Sequence, residues 1–233
     1  MKVSVLAEDL RNRQRVKAKT DGGIFAEAVA TTYCETLSKT DYKVKARADG
    51  IALFRSMTGL HSIPATKQYW TLCNRQSGPE SEIEQCVSSG LLVKSQFHGV
   101  DNNEYLIVAN QVDHPDAHWY AGEWTDVISD FNPDFNPALV YLDMVYTANN
   151  TLTADTIVAT MRQCPVGAVI LVNVAMVNPN SGESSDLAVL DAHIQDRCTD
   201  TELAAWGWDE GFEGFEYSSG RTIMYTFVIR RKS

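Results

Sequence analysis

Cysteine is scarce in this sequence, and its spacing favours neither a disulfide framework nor a zinc site. The chain of 233 residues has five cysteines, an odd number, and no two of them form a Cys-x-x-Cys pair. An odd set cannot pair completely within one chain, and a zinc site needs closely spaced ligands. The pattern is typical of free thiols in a reducing compartment, so we predict a cytoplasmic protein. The five are Cys34, Cys73, Cys86, Cys164 and Cys198.

Long hydrophobic runs are missing as well. No apolar stretch approaches the roughly 18 residues that a membrane-spanning helix needs, and the first residues become charged too early for a secretory signal. The Gly-x-Gly-x-x-Gly fingerprint is also absent, which argues against a dinucleotide-dependent oxidoreductase. With 44% hydrophobic and 21% charged residues, the composition predicts a globular protein without a membrane partner.

The net charge of −10 is distributed unevenly along the chain. Residues 1–67 hold 12 Lys and Arg against 7 Asp and Glu, whereas residues 68–233 hold 8 against 23. A basic segment can contact phosphate groups, which would make nucleic acid a partner. It can also form a helical surface that docks on the acidic remainder of the chain. The sequence leaves both interpretations open.

The chain changes character near residue 67. Before it, the spacing of apolar residues predicts helices at about 24–37 and 44–57, within a helical, basic N-terminal extension over residues 1–66. From 67 to 233, short β-prone segments alternate with helical ones and end in a β-hairpin. This alternation predicts an α/β domain with a mainly parallel sheet, right-handed crossovers and one antiparallel edge. The predicted strands are 68–73, 95–100, 118–121, 138–142 and 167–174, the predicted helices are 81–87, 104–112, 124–128, 153–164 and 185–197, and the hairpin joins 212–217 to 222–230.

Three successive predicted strands end at or near an acidic residue, where open α/β sheets bind their ligands. Asp101 follows strand 2, and a carboxylate there can accept hydrogen bonds from both hydroxyls of a ribose. Glu123 follows strand 3 and can accept a hydrogen bond from an adenine amine, while Trp124 could cover the ring. Asp143 follows the apolar strand 4, where burying an acid is costly and therefore indicates a specific role. Each of the three acids thus has a chemical use at the edge of the sheet where a ligand would bind.

These segments resemble the class I S-adenosylmethionine-dependent methyltransferases. The resemblance covers about residues 67–233 and implies a Rossmann-like three-layer sandwich. Its mostly parallel, seven-stranded sheet would end in a C-terminal antiparallel hairpin. The segments that carry the resemblance are Phe97-His98-Gly99-Val100-Asp101-Asn102-Asn103, Gly122-Glu123-Trp124, Ala138-Leu139-Val140-Tyr141-Leu142-Asp143 and the hairpin at 212–230.

The resemblance also implies a cofactor, S-adenosylmethionine, and a role for each strand end. Asp101 would bind the ribose and Glu123 the adenine amine. After strand 4, Asp143 and Tyr146 would contact the methyl acceptor as the catalytic residues. The basic extension makes nucleic acid the expected acceptor. The expected cofactor contacts are Thr71, Cys73, Asn74, Asp101, Asn102, Glu123 and Trp124.

The first loop departs from the family pattern. Members usually have an acidic residue and a Gly-x-Gly-like turn after strand 1, whereas residues 71–78 contain only Gly78 and no acid. Two alternatives follow: a methyltransferase with a rebuilt loop, or a non-catalytic binding or scaffold module with the same fold. An open space between this loop and Asp101 would favour the enzyme. Filling of that space by Arg75 or Gln76 would favour the scaffold.

Simpler roles exist for several of these residues. Asp101 could cap the helix that begins at Glu104, and Glu123 could be a first-turn acid that the helix dipole favours. His114 and His118 have no third ligand nearby in the sequence. We therefore interpret their segment as a solvent-facing loop and not as a metal site.

Overall fold

The computed structural model describes residues 41–130, 135–176, 184–208, 213–219 and 222–233. The helix predicted at 24–37 lies outside the described residues, as does most of the basic N-terminal segment. The second predicted helix is present as α1 (Asp41–Thr58) and begins three residues earlier than its apolar spacing indicated.

Strands and helices alternate through the rest of the chain. All five predicted single strands and both strands of the hairpin are present, with bounds close to the prediction except for strand 4. Among the described helices, none has the length and apolar character that a membrane span requires. The elements after α1 are β1 (Gln68–Leu72), α2 (Glu82–Ser88), β2 (Phe97–Asp101), α3 (Glu104–Asp113), β3 (His118–Ala121), α4 (Trp124–Asp130), β4 (Pro137–Thr147), α5 (Thr151–Gln163), β5 (Val169–Ala175), α6 (Leu187–Gln195), α7 (Asp200–Ala205), β6 (Glu213–Ser219) and β7 (Thr222–Arg230).

The seven strands form one sheet in the order β3-β2-β1-β4-β5-β7-β6. The first five strands are parallel, and β7 is antiparallel to both β5 and β6. The strand order reverses at β1, because β2 and β3 lie on one side of it and β4 on the other. In open α/β sheets the ligand cleft lies at such a reversal, beyond the carboxyl ends of the strands. The predicted sheet, mostly parallel with a C-terminal antiparallel hairpin, is confirmed.

Helices cover both faces of the sheet and complete the three-layer sandwich. One face packs against α1 and α2, through residues such as Phe54 and Ile83. The other face packs against α4, α5 and α6, through Ile128, Ile157 and Leu190. Every residue of β5 is buried, as expected for a parallel strand between two helical layers.

Strand 4 is longer than its apolar run indicated. β4 continues to Thr147, so Asp143 lies inside the strand and not after its end, and the prediction is wrong on this point. Asp143 pairs with Asn173 in β5, and the register then shifts before Thr147 pairs with Ala175. The Asn173 side chain donates a hydrogen bond to the Asp143 carboxylate. This hydrogen bond, together with an ion pair to Lys43 in α1, offsets the cost of an acid within a buried part of the sheet.

Candidate active site at the carboxyl edge of the sheet

Asp101 is the last residue of β2, and Glu123 lies close to it, two residues after the end of β3. These strands pair in parallel, with Asp101 opposite Ala121. The Asn102 side-chain amide donates a hydrogen bond to Glu123 Oε1 (3.2 Å), and the Gly122 amide donates one to the Asp101 carbonyl (3.0 Å). Glu123 and Asn102 are exposed, and Asp101 is half-buried. The structure therefore brings three of the predicted cofactor contacts together at one edge.

Asp101 is not the cap of the helix that follows it. Asn103 caps α3, because its side chain accepts a hydrogen bond from the Tyr105 amide (3.0 Å). Asp101 Oδ1 accepts a hydrogen bond from the Asn103 amide (2.7 Å), which orients the carboxyl group ahead of the helix. Burial, and to a smaller extent Glu123, raise the pKa of Asp101 to about 6, although the Asn103 hydrogen bond opposes them. Asp101 thus gains its charge within the range where the pH of a cell varies.

The loop after β1 is held in place by α3 and the residue that follows it. Asn110 is fully buried, accepts a hydrogen bond from the Gln76 amide (2.7 Å) and donates one to the Asn74 carbonyl (3.0 Å). Gln76 is also fully buried, and its side-chain oxygen accepts a hydrogen bond from the Ile83 amide (3.2 Å). His114 Nε2 lies 2.9 Å from the Gln76 carbonyl. His114 is therefore a buried anchor of the loop, and the prediction that its segment faces solvent is wrong for this residue.

Arg75 and Gln76 are directed away from Asp101. The Arg75 guanidinium lies 2.6 Å from the carboxylate of Asp113, the last residue of α3. Asp101 precedes the opposite end of this ten-residue helix, which is about 15 Å long at 1.5 Å per residue. The loop therefore packs along α3, and the contacts of Arg75 and Gln76 lie away from Asp101.

The predicted contacts at the end of β1 are mostly enclosed by the protein. Thr71 has no exposed surface, and its hydroxyl contacts the Glu82 carboxylate. Cys73 is 2% exposed, and the Asn110 amide nitrogen lies 3.9 Å from its sulfur. Burial raises the pKa of the Cys73 thiol well above its usual value, so the thiol is neutral. The cofactor contacts of Thr71, Cys73 and the half-buried Asn74 stay predictions.

Trp124 lies in the core and not on the surface of the cleft. Its ring is 4% exposed and meets Trp70 edge to face, with 6.5 Å between ring centroids. The indole nitrogen donates a hydrogen bond to Thr160 Oγ1 (2.8 Å). These contacts account for the burial of Trp124. They do not support its predicted contact with an adenine ring.

A buried polar network surrounds Asp143 on the sheet face that α1 covers. Lys43 in α1 donates a hydrogen bond to Asp143 Oδ2 (2.7 Å), and Asn173 donates one to Oδ1 (2.7 Å). The Asn173 amide nitrogen also donates to the Tyr217 hydroxyl (2.8 Å), and its oxygen accepts from Thr226 (3.2 Å). Burial would raise the pKa of Asp143, but Lys43 and Asn173 outweigh it and lower the pKa. Asp143 is therefore ionised and has a donor on each carboxylate oxygen.

A second ion pair extends this network towards α2. Arg47 lies one helical turn after Lys43, and its Nε is 3.8 Å from Glu82 Oε2, with side chains 5% and 3% exposed. The Tyr69 hydroxyl donates a hydrogen bond to Glu82 Oε1 (2.7 Å). Burial raises the pKa of Glu82, although Arg47 and Tyr69 act in the opposite direction. The two ion pairs dock the described part of the basic segment on acids of the domain, as one of the two sequence interpretations expected.

The sequence did not identify Lys43, Arg47 or Glu82 as site residues. The spacing of four between Lys43 and Arg47 places them on one face of a helix, which is a signal that the sequence contains. Which acids they meet depends on how α1 packs. Tyr146, the second predicted catalytic residue, belongs to β4, but its side chain lies outside what the structure describes. Within the described ranges, no group of three His, Cys, Asp or Glu side chains could hold a metal ion.

The strand order, with its antiparallel seventh strand, defines the fold as the Rossmann-like fold of class I methyltransferases. The structure is similar to that of an S-adenosylmethionine-dependent methyltransferase from Clostridium acetobutylicum, with a TM-score of 0.53 and 10% identity over 89% of this chain and 99% of that one. It also aligns with a TehB-like methyltransferase from Corynebacterium glutamicum over 98% of this chain and 100% of that one, with a TM-score of 0.45 and 11% identity. No family model matches the sequence, and a comparison with curated proteins finds no significant match.

Proposed function

We propose that this protein is an S-adenosylmethionine-dependent methyltransferase. The observation that carries the proposal is the juxtaposition of Asp101 and Glu123 beyond β2 and β3, on a sheet with the class I strand order. An Asp101 carboxylate can accept hydrogen bonds from two ribose hydroxyls, and the exposed Glu123 can accept one from an adenine amine. Asn102 connects the two loops, so their spacing is set before a ligand binds.

The described residues fit the chemistry of methyl transfer, in which a protein mainly positions the reactants. When bound, S-adenosylmethionine supplies a methyl group on a sulfonium sulfur. Thr71, Cys73 and Asn74 would border the cofactor at the end of β1, and Asp143 and Tyr146 would contact the acceptor. Because Asp143 is stabilised in its charged form, it suits the binding of a cation better than the removal of a proton.

A non-catalytic binding or scaffold module is the second candidate. The observation that favours it is the loop over residues 73–78, which is anchored to Asn110 and contains neither an acid nor a Gly-x-Gly turn. Such a protein would keep the sheet and its packing while having lost the contacts to the cofactor.

Nucleic acid stays a proposed acceptor, based on the basic extension over residues 1–66. In the described part of that extension, Lys43 and Arg47 pair with acids, and Arg55 donates to the carbonyls of His61 and Ser89. Contacts to phosphate would therefore fall mainly to residues before 41. The boundary with the methyltransferase-like domain at 67–233 and the cytoplasmic location stay proposals as well.

The test is calorimetric titration with S-adenosylmethionine and S-adenosylhomocysteine. We expect binding to the unaltered protein and a loss of about tenfold or more for Asp101→Ala, since the carboxylate makes charge-assisted hydrogen bonds. Asp116→Ala is the matched control. Asp116 is exposed and lies before the amino end of β3, whereas Asp101 lies at the carboxyl ends of the strands. Absence of binding at millimolar ligand would favour the scaffold candidate. An equal loss in both variants would place the site elsewhere.

A further inference from the structure

The Asp143 carboxylate has one exchangeable partner and one fixed partner. Asn173, which donates to Oδ1, is fully buried, and its amide group is held in one orientation by Tyr217 and Thr226. Lys43, which donates to Oδ2, belongs to the first turn of α1, and its side chain is 19% exposed. A lysine ammonium on a flexible four-carbon stem can move out to water when another cation takes its place at the carboxylate. Asn173 cannot move without breaking three hydrogen bonds.

The position at Oδ2 is built for a cation. An ionised carboxylate in a buried setting needs a positive partner, because an unpaired charge there is strongly unfavourable. The Asp143 side chain is 9% exposed, and burial is outweighed by cationic and hydrogen-bonding neighbours so that its pKa is lowered. Whatever displaces the Lys43 ammonium must therefore bring a positive charge of its own.

Two tyrosines narrow the chemistry of that cation. Tyr217 reaches the network through its hydroxyl, which accepts a hydrogen bond from Asn173 (2.8 Å). Tyr141 precedes Asp143 by two residues and points to the same face of the sheet. Burial, and to a smaller extent the Asp143 charge, raise the pKa of both phenols, so both stay neutral. An alkylated ammonium is the kind of cation that aromatic rings also attract when it lies within about 6 Å of them.

We infer that the methyl acceptor is an aliphatic amine, and that its ammonium nitrogen takes the place of Lys43 Nζ at Asp143 Oδ2. The inference rests on the proposed methyltransferase function and names the acceptor class for that same site. Lys43 then competes with the acceptor for the Asp143 carboxylate, and it pairs with this carboxylate until an acceptor binds. Arg47, buried on its pair with Glu82, keeps α1 docked while Lys43 moves.

The methyl transfer balances in the usual way for an amine. The bound ammonium first releases one proton to solvent, which leaves a lone pair on nitrogen. Nitrogen attacks the methyl carbon, a nitrogen–carbon bond forms and the carbon–sulfur bond breaks. The bonding pair would go to sulfur and give neutral S-adenosylhomocysteine, and the methylated amine would carry the positive charge that sulfur lost. Asp143 can pair with that charge before and after the transfer.

The experiment is an NMR titration that follows the Asn173 side-chain amide, assigned by its loss in Asn173→Asp. The probe is n-butylamine hydrochloride at neutral pH, without cofactor, and sodium butyrate is the anionic control of matched length. We expect the amine and not butyrate to shift the Asn173 resonance. In Lys43→Met the half-saturating amine concentration should fall by about tenfold or more, because an intramolecular competitor has been removed. Lys45→Met is the matched control, since Lys45 is exposed on the same helix and should respond like the unaltered protein.

Two results would overturn the inference. One is an Asn173 resonance that the amine does not shift, in the unaltered protein and in a folded Lys43→Met variant alike. The other is an equal response to amine and butyrate. If Lys43→Met does not fold, the titration of the unaltered protein decides alone. A second titration uses N-acetyl-lysine methylamide. A stronger response to it than to n-butylamine would indicate a lysine side chain as the acceptor, and a weaker response would indicate a free amine. Since no cofactor is present, a failure to bind S-adenosylmethionine would contradict the proposed function without affecting this readout.

Discussion

The side-chain nitrogen of Lys43 lies 2.7 Å from the carboxylate of Asp143, a residue 100 positions further along the chain. This ion pair joins the first described helix to the fourth strand of the sheet. One turn further along the same helix, Arg47 meets Glu82 at the start of α2. A basic helix is thus tied to two acids of the domain, so the uneven charge of the sequence has a structural use inside the molecule.

We predict that Glu82→Gln destabilises the protein by about 3 kcal/mol, because it leaves the buried Arg47 without its carboxylate. Glu84→Gln is the matched control on the same helix, where Glu84 pairs with Lys94 and both side chains are about one third exposed. Exposed pairs of this kind contribute up to about 1 kcal/mol. Urea denaturation with an unchanged slope gives both values. Similar losses in the two variants would contradict a structural role for the Arg47–Glu82 pair.

Binding of S-adenosylhomocysteine should tighten as the pH rises through about 6, the pKa of Asp101. The ionised carboxylate accepts hydrogen bonds from both ribose hydroxyls, whereas the neutral acid, present below this pKa, has lost part of its acceptor capacity. One pH unit below the pKa only about a tenth of the molecules carry the charge, so we expect affinity about tenfold weaker there. Calorimetry between pH 5 and 8 measures this, and Asp101→Asn should remove the dependence. A pH-independent affinity in the unaltered protein would contradict the assignment of Asp101.

Asn110→Ala should release the loop after β1. The substitution leaves the buried Gln76 amide without its acceptor, which costs about 1–3 kcal/mol, and it removes one of the two donors to the Asn74 carbonyl. Hydrogen exchange at the Gln76 amide should become faster, and cofactor affinity should fall if this loop borders the site. Asn110→Asp is the matched variant, because it keeps the oxygen that accepts from Gln76 and replaces the donating amide by a second carboxylate oxygen beside the Arg75 guanidinium. Unchanged protection of Gln76 in Asn110→Ala would show that other contacts hold the loop.

Gly99→Ala should destabilise the protein by about 1–3 kcal/mol through overpacking. A methyl group at Gly99 would lie 2.6 Å from the Trp119 ring and 2.9 Å from the Cys73 sulfur, closer than real contacts allow. The ring lies across β2 and cannot shift like the end of a flexible side chain. Replacing Trp119 by Leu in the Gly99→Ala background should recover part of the loss, which a double-mutant cycle would detect. Additive losses would mean that the ring is not what limits the space.

The sequence identified much of the fold, because local spacing and apolar runs are sufficient for this. The runs at 138–142 and 167–174 are the two central strands, and the hairpin at 212–230 is the antiparallel edge. Since strands of a parallel sheet end at one edge, the sequence positions of Asp101 and Glu123 near the ends of two strands indicated the edge at which both lie. Local pattern decided these features because it depends only on residues a few positions apart.

Only the tertiary structure decided the surroundings of Asp143 and of the first loop. Asp143 lies inside strand 4, where a hydrogen bond from Asn173 in the neighbouring strand and the charge of Lys43 in α1 offset the cost of a buried acid. The partners of Lys43 and of Gln76 come from elements 100 and 34 residues away. Such pairings depend on strand register and on the packing of helices against the sheet, which no local spacing specifies. The sequence by itself determined where the strands and acids lie along the chain. The packing determined that Asp143 meets a cation, that Asp101 accepts a hydrogen bond from a backbone amide, and that Glu123 is exposed at the edge of the sheet.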